Sequence, residues 1–229
     1  MEGLKTLLNE YDVIAAFWMT IKLTVISAVG ALVIGSLIAV MRVSPIGVLR
    51  SFGTAYVTII RNTPLTLIVF FCAFGLYNNM GIRMASDTSP TSIVDNNFRF
   101  GIIALAVYHA SFVAEALRSG INTVPQGQAE AARAIGLGFV PTLTAVVLPQ
   151  AFRGAIAPLG NVMIALTKNT TVVATIGVAE AAYTMREMLE FNGSLLYAIF
   201  AIMATGFVIL TLPMGIFFTS LSKRLAVQR

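Results

Sequence analysis

The chain alternates long apolar runs with short polar connections. Five stretches read as helices able to cross a bilayer: about Phe17 to Met41, Pro64 to Tyr77, Phe100 to Leu117, Leu143 to Leu166 and Ser194 to Phe218. A span takes about 20 mainly apolar residues, so 229 residues hold roughly five with their loops and little else. The first and last runs are the strongest. The fourth is weaker and carries Pro149, Gly154, Pro158 and Gly160, an interruption that membranes tolerate where backbone faces protein or a cavity. "RNTP" at Arg61 to Pro64 reads as a helix start, with Asn62 or Thr63 capping and Pro64 near the first turn. Small residues recur at helical spacing, Ser27, Ala31, Gly35 and Ala39 in the first span and Ala106, Ala110 and Ala114 in the third. Such ridges let helices approach closely in lipid, either inside one subunit or at a dimer seam.

Composition carries the pattern to a class. With 57% apolar and 11% charged residues, the chain reads as an all-α integral membrane protein rather than a soluble domain. One cysteine, Cys72 inside an apolar run, excludes a disulfide framework and a cysteine metal site, and no ligand cluster suggests a metal. No nucleophile sits with a base, and no carboxylate pair has a catalytic spacing. "MEGLKTLLNEYDV" lacks the basic start of a signal peptide, so the first span is expected to be retained.

Charge sets the expected orientation. Arg42, Arg50 and Arg61 follow the first span, Arg118, Arg133 and Arg153 lie around the connection between the third and fourth, and Lys223, Arg224 and Arg229 end the chain. With five spans these fall on one side, while Glu2, Glu10, Asp12, Asp87, Asp95, Glu187 and Glu190 fall on the other. The positive side faces the cytoplasm, which puts the N-terminus outside and the C-terminus inside. The net charge of +5 is accounted for by these flanks, without nucleic acid. The expected organisation is an extracytoplasmic segment at 1–16, a membrane domain at 17–221 with a cytoplasmic loop at about 119–141, and a cytoplasmic tail at 222–229.

Inside that loop a short exposed helix is expected. Pro125 suits its first turn, Glu130 lies early in it, Gly136 suits its stop, and Gly138 and Pro141 prevent continuation. Ala129, Ala131, Ala132 and Ala134 on its surface leave room for another protein's backbone. Glu130, Ala131, Ala132, three residues, Gly136, nine more, then Val146, Val147, Leu148 and Pro149 resembles the EAA signature of ABC importer permeases, with Val146 in place of the usual isoleucine. "RNTPL", "FVAEALRSGINTVPQGQAEAARAIGLG", "LPQAFRGAIAPLGN" and "LTKNTTVVATIGVAE" are similar to the polar amino acid branch, which handles histidine, glutamine, glutamate and arginine, and matching pieces cover most of Phe17 to Leu221. "MRVSPIGVLR", "VDNNFR" and "LTLPMG" look closest to actinobacterial glutamate permeases.

The resemblance implies a type I ABC importer permease fold (MetI-like) in a bacterial cell membrane. It implies a coupling loop of Glu130, Ala131, Ala132 and Gly136, with Leu148 and Pro149, docked on a cytoplasmic ABC ATPase. It also implies a second permease, identical or a paralogue, and an extracytoplasmic solute-binding protein. Independently, the chain has no G-x-x-x-x-G-K-[ST] loop, so it is expected to be no enzyme and to hold no cofactor, with ATP and Mg bound by the partner ATPase. A secondary carrier or channel driven by an ion gradient is the rival, and it predicts acidic residues near the midplane and inverted repeats. A membrane enzyme or a purely structural subunit is a further rival.

Ionisable residues inside spans cost about 2.5 to 3.5 kcal/mol each on insertion scales and so tend to face a cavity or a partner. Lys168, beside Asn169, Thr170 and Thr171 at the end of the broken span, is a candidate to hold an amino acid carboxylate, or a structural lysine reaching the interface. Glu115 lies three residues before Arg118 and either pairs with it or meets a substrate amino group. His109 beside Tyr108 senses pH, lines a cavity, or packs, hydrogen-bonded, in the bundle. Lys22, within about two turns of the outer end of the first span, is the weakest candidate and would snorkel outward past Trp18 and Phe17.

Overall fold

A computed structural model describes residues 7, 9–86 and 90–225. Glu2, Asp87 and Arg229, and parts of the expected terminal segments, lie outside the described residues. All regular structure among the described residues is helical. Helix α1 (Val13–Val43) is capped by Asp12, whose carboxylate accepts from the Ala15 N–H at 2.8 Å. Helix α2 (Gly47–Asn62) meets α3 (Leu65–Phe70), which widens into π-helical turns at Phe71–Asn79. Then come α4 (Ser92–Asn122) and α5 (Gln126–Ala134). A short turn at Phe139–Pro141 and π-helical coils at Thr142–Val147 lead into α6 (Leu148–Asn169), which tightens to a 3-10 helix at Thr170–Ile176. Helix α7 (Ala181–Phe191), a 3-10 turn at Gly193–Leu195 and α8 (Leu196–Leu225) complete the order.

Four stretches are long and apolar enough to cross a membrane: Val13–Val43, Ser92–Asn122, Phe139–Ile176 and Gly193–Leu225. A fifth arises if α2 and α3 with its π-helical extension count as one span bent by 103°. The expectation of about five spans is met as four, or five with the bent pair, and three local expectations are corrected. The segment after the first span is a helix, α2, not a connection, because its apolar residues repeat at helical spacing between polar ones. Neither Asn62 nor Thr63 caps α3: Asn62 Nδ2 donates back to the Thr58 carbonyl and Thr63 Oγ1 to that of Ile59, so both finish α2, and Pro64 stands at the cap position. Pro158 does not break α6, which runs through it.

The small-residue ridges pack against each other inside this one chain. Ser27, Ala31 and Ala39 on α1 and Ala106, Ala110 and Ala114 on α4 are all buried, and a Cβ at Gly35 would lie 2.6 Å from Val113 Cβ and 2.8 Å from the Ala110 carbonyl oxygen. The helices touch at backbone distance, where dispersion and weak polar contacts hold a bundle that water exclusion cannot drive. The main apolar core lies between α1, α3 and α4, around Leu23, Val69, Phe100 and Leu105, with Leu166 of α6 and Val173 of its 3-10 extension closing it. The outward faces of α1 and α8 are apolar, including Val33, Leu37, Phe200, Ile209 and Ile216, as lipid contact requires.

Candidate functional site

The close approach of α1, α2 and α4 gathers charge at one place. Glu115 on α4 accepts from Arg42 Nη1 of α1 at 2.7 Å on Oε1, and from Arg118 Nε and Nη2 at 3.1 and 3.0 Å on Oε2. Arg61, at the end of α2, stands 3.7 Å from Oε1, beyond hydrogen-bond reach. The guanidinium of Arg61 lies over the Phe112 ring, 5.2 Å from its centroid, a cation–π contact that holds it without neutralising it. One carboxylate is thus shared by three guanidiniums. The Arg42 side chain is 11% exposed, whereas those of Arg61 and Arg118 are 44% and 42% exposed, so Arg42 is structural and the other two are presented.

Two adjoining clefts meet at this cluster. One, of about 330 Å³, is lined by Val57, Thr58, Arg61, Asn62, Phe112 and Glu115. The other, of about 460 Å³, shares Arg61, Phe112 and Glu115 and reaches Arg118, Asn122 and, across to α6, Asn161. Together they form a crevice with guanidinium, amide and aromatic faces, suited to binding a small zwitterion or acid. The (i, i+3) pair of Glu115 and Arg118 was legible in the sequence. Arg42, Arg61, Asn122 and Asn161 were not, since the arginines read only as orienting charges and the asparagines join only through helix packing.

The other predicted residues divide. His109 is buried; its Nδ1 lies 2.9 Å from the Leu105 carbonyl oxygen and its Nε2 3.1 Å from Asn169 Nδ2. The tautomer with the proton on Nδ1 lets the ring donate to Leu105 and accept from Asn169, which ties α4 to the end of α6. Tyr108 and Phe112 pack against the same ring at 5.2 and 6.2 Å. Thr170 is buried and donates to the Thr167 carbonyl, and Thr171 donates to that of Lys168. The Lys168 side chain is exposed and makes no hydrogen bond or ion pair among the described residues. It shares a helical face with the exposed Asn161 and Arg153, so α6 carries a polar line along its open side. Lys22 is exposed, 6.0 Å from the Trp18 ring centroid.

The short loop helix forms as α5, with Pro125 at its cap position. Glu130, Ala131 and Ala134 are exposed, but Ala132 is buried, so only part of the expected alanine surface faces outward. Leu148 and Pro149 open α6 and are also exposed. Apolar Ile135, Phe139 and Val140 stand exposed beside α5. Gln150 Nε2 donates to Gln128 Oε1 and to the Val146 carbonyl, linking α5 to α6. Gly136 ends the turn at φ +93°, its N–H bonded to the Arg133 carbonyl and the Leu137 N–H to that of Ala132. A Cβ there would meet nothing within 4 Å, so the demand is conformational rather than steric. Gly136→Val is expected to cost about 1 to 2 kcal/mol at this turn and to lower the melting temperature of the purified chain; a variant that melts like the parent would show that the turn tolerates a β-branched residue.

Residues 14–227 match the family described as binding-protein-dependent transport system inner membrane component. The chain is 54% identical over 218 residues to the glutamate transport system permease protein GluC of Corynebacterium glutamicum, covering 95% of this chain and 96% of that one. It is 35% identical over 209 residues to the probable glutamine ABC transporter permease protein GlnM of Bacillus subtilis, covering 91% of each. Among solved structures, it superposes on a crystal structure of an amino acid ABC transporter with histidines at a TM-score of 0.80 and 27% identity, over 93% of both chains. Inward-facing structures of the MetNI methionine ABC transporter share the fold, at a TM-score of 0.71 and 19% identity, over 94% of this chain and 96% of that one.

Proposed function

The chain belongs to the family of binding-protein-dependent transport system inner membrane components, and from that premise we propose that it is the permease subunit of an ATP-driven importer for glutamate. The observation that carries the substrate class is the charge balance of the crevice. Three guanidiniums face one carboxylate, and the loosely held Arg61 and half-exposed Arg118 leave positive charge available. A crevice of this sign suits an acidic amino acid and disfavours arginine. Glutamate brings two carboxylates and one ammonium; Arg61 takes a carboxylate, and Glu115, with oxygens already aligned by Arg42 and Arg118, faces the ammonium. Lys168 and Asn161, on the open side of α6, extend the path.

The remaining parts of the reading follow from placement. A polar line on α6 facing lipid would be costly, so a second permease covers it and the path runs between the two. Helix α5, with exposed Ile135 and Phe139 beside it, docks on a cytoplasmic ABC ATPase that binds ATP and Mg, and an extracytoplasmic solute-binding protein delivers the amino acid. The positive flanks put the C-terminus in the cytoplasm. Closure of the ATPase moves α5, the helices open outward to receive solute, and hydrolysis returns them.

Uptake by proteoliposomes holding the two permeases and the ATPase, supplied with the binding protein, tests this. Glutamate transport that requires ATP is expected. A charge-assisted hydrogen bond contributes about 1.5 to 3 kcal/mol, so Arg61→Ala is expected to raise the KM for glutamate about 10- to 100-fold while the complex still assembles, with Arg61→Lys in between. An unchanged KM removes Arg61 from the site. Accumulation driven by an ion gradient with the ATPase absent would favour a secondary carrier.

A further inference from the structure

Glu180 takes no part in the crevice or the docking helix, yet it is a fully buried carboxyl group. It stands where the 3-10 extension of α6 turns through Gly177, at φ +80°, into α7. This elbow is held at its start by Asn97 of α4, whose Nδ2 donates to the Ile176 carbonyl at 2.7 Å. At its end Glu180 Oε1 accepts from the Ala182 and Tyr183 N–H groups at 2.8 and 3.0 Å, capping α7. The other oxygen, Oε2, faces Thr20 of α1 at 3.5 Å, and Thr20 Oγ1 also accepts from the Ala181 N–H at 3.3 Å.

We propose that Glu180 is a positioning residue whose protonation fastens the elbow between α6 and α7 onto α1 and whose ionisation loosens it, so that acidity on that face of the membrane restrains the opening step of transport. The proposal rests on the importer reading above for its functional consequence, and on its orientation for the extracytoplasmic face. The hydrogen count carries it. Thr20 has one hydroxyl hydrogen and two acceptors in range, Glu180 Oε2 and the Ala16 carbonyl oxygen at 3.3 Å. With Glu180 ionised, that hydrogen serves one acceptor at a time, and a buried charge is left with one oxygen underpaired. With a proton on Oε2, the carboxyl donates to Thr20 Oγ1, the Thr20 hydroxyl donates to Ala16, and every group is satisfied.

Among the described residues, no cation pairs with the buried carboxyl group. The titratable residues toward this end of the packed elements are Glu10, Tyr11 and Asp12 before α1, Lys22 on α1, Tyr183, Arg186, Glu187 and Glu190 on α7, Tyr197 on α8, and Asp95 and Arg99 on α4; among the described residues, none hydrogen-bonds or ion-pairs to Glu180 through its side chain. Burial lifts the Glu180 carboxyl from about 4.5 to about 7, against the lowering effect of the Ala182 and Tyr183 N–H groups and the Thr20 hydroxyl. The folded state therefore binds the extra proton between those values. The stabilisation it gives the elbow is full below the ordinary carboxylate range and is lost as the pH rises through about 7.

Infrared titration of the full chain in lipid nanodiscs reads the proton directly. A protonated-carboxyl band that disappears with a midpoint near 7 is expected in the parent chain and absent from Glu180→Gln. Thr20→Val keeps the shape and removes the acceptor of the Glu180 proton together with the hydroxyl donor; because the contact with α1 is the stronger one in the protonated state, the midpoint is expected to move downward. Hydrogen exchange of the Ala181 amide, which donates to Thr20 Oγ1, corrected for intrinsic rate, is expected to be several-fold slower at pH 6 than at pH 8 in the parent and unchanged in Glu180→Gln. In the reconstituted complex, uptake is expected to rise several-fold between external pH 6 and 8 in the parent and to stay flat and low in Glu180→Gln. A Glu180→Gln profile that titrates like the parent, or a midpoint unmoved or raised by Thr20→Val, overturns the proposal. Should no variant show ATP-dependent uptake, the importer reading fails, and the infrared and exchange results still decide whether the latch exists.

Discussion

Replacing Gly120 with valine is expected to abolish a properly packed bundle and, with it, transport. A Cβ at Gly120 would lie 2.2 Å from the Ala151 carbonyl oxygen and 2.9 Å from the Ala155 amide nitrogen, with Ala155 Cβ at 2.8 Å. Two of those three atoms are backbone of α6 and cannot swing aside. The opposing surface is equally committed, because a Cβ at Gly154 would meet Thr123 Oγ1 at 2.5 Å and the Gly120 Cα at 3.3 Å. The end of α4 and the start of α6 are thus in backbone contact, and α5 is the loop helix between them. In lipid the association depends on such closeness, since separated helices lose van der Waals contact without gaining any from water exclusion. Even one methyl group overpacks the contact, at about 1 to 3 kcal/mol, and valine adds two more carbons. Separation would also widen the crevice, whose Arg118 and Asn122 stand on α4 and whose Asn161 stands on α6. Size-exclusion profile, thermal melting and uptake of the purified complex measure this. Gly47→Ala is the control, with nothing within 4 Å of its Cβ, and is expected to behave as the parent. A Gly120→Val complex that melts and transports normally would show that the close contact is not required.

Glu115→Ala is expected to have the second large effect. It strips Arg42 of its 2.7 Å partner, Arg118 of a two-pronged one, and Arg61 of its nearest counter-charge. Three guanidiniums are then left to repel one another, and the Arg42 side chain, 11% exposed, has the least water to turn to. Breaking a buried ion pair from one side costs about 3 to 5 kcal/mol. Glu115 is 23% exposed, so the lower end of that range applies. Glu115→Gln keeps a carbonyl acceptor and is expected to be intermediate. Adding Arg42→Leu to Glu115→Ala is expected to recover part of the loss, because the second change removes the stranded buried charge. Melting of the four complexes checks the set. Equal stability of Glu115→Ala and the parent would mean that water already screens the cluster.

Spans were legible because lipid imposes a simple rule: about 20 apolar residues with every backbone group paired internally. The helical loop element α5 was legible from Pro125 and Gly136, which start and stop a helix for local reasons. The bend after α2 was not, since Asn62 and Thr63 serve equally as caps for the next helix or as partners for the one behind, and only the surrounding packing selects. The candidate site shows the same divide. Glu115 and Arg118 are neighbours on one helix, whereas Arg42 lies 73 positions away and reaches Glu115 only because Gly35 and Ala39 let α1 lie against α4.

Glu180 marks the boundary most clearly. It follows "GVA" without any periodic signal of its own, and its complete burial against Thr20, 160 residues earlier, depends on where α1 stands. What the amino-acid order determined alone is the membrane class, the spans and the loop helix α5, all set by interactions within about four residues or with the surrounding lipid. What the tertiary structure decided is which charges meet, because partners on different helices are chosen by helix approach, and that approach is set by small residues whose effect appears only when two surfaces touch.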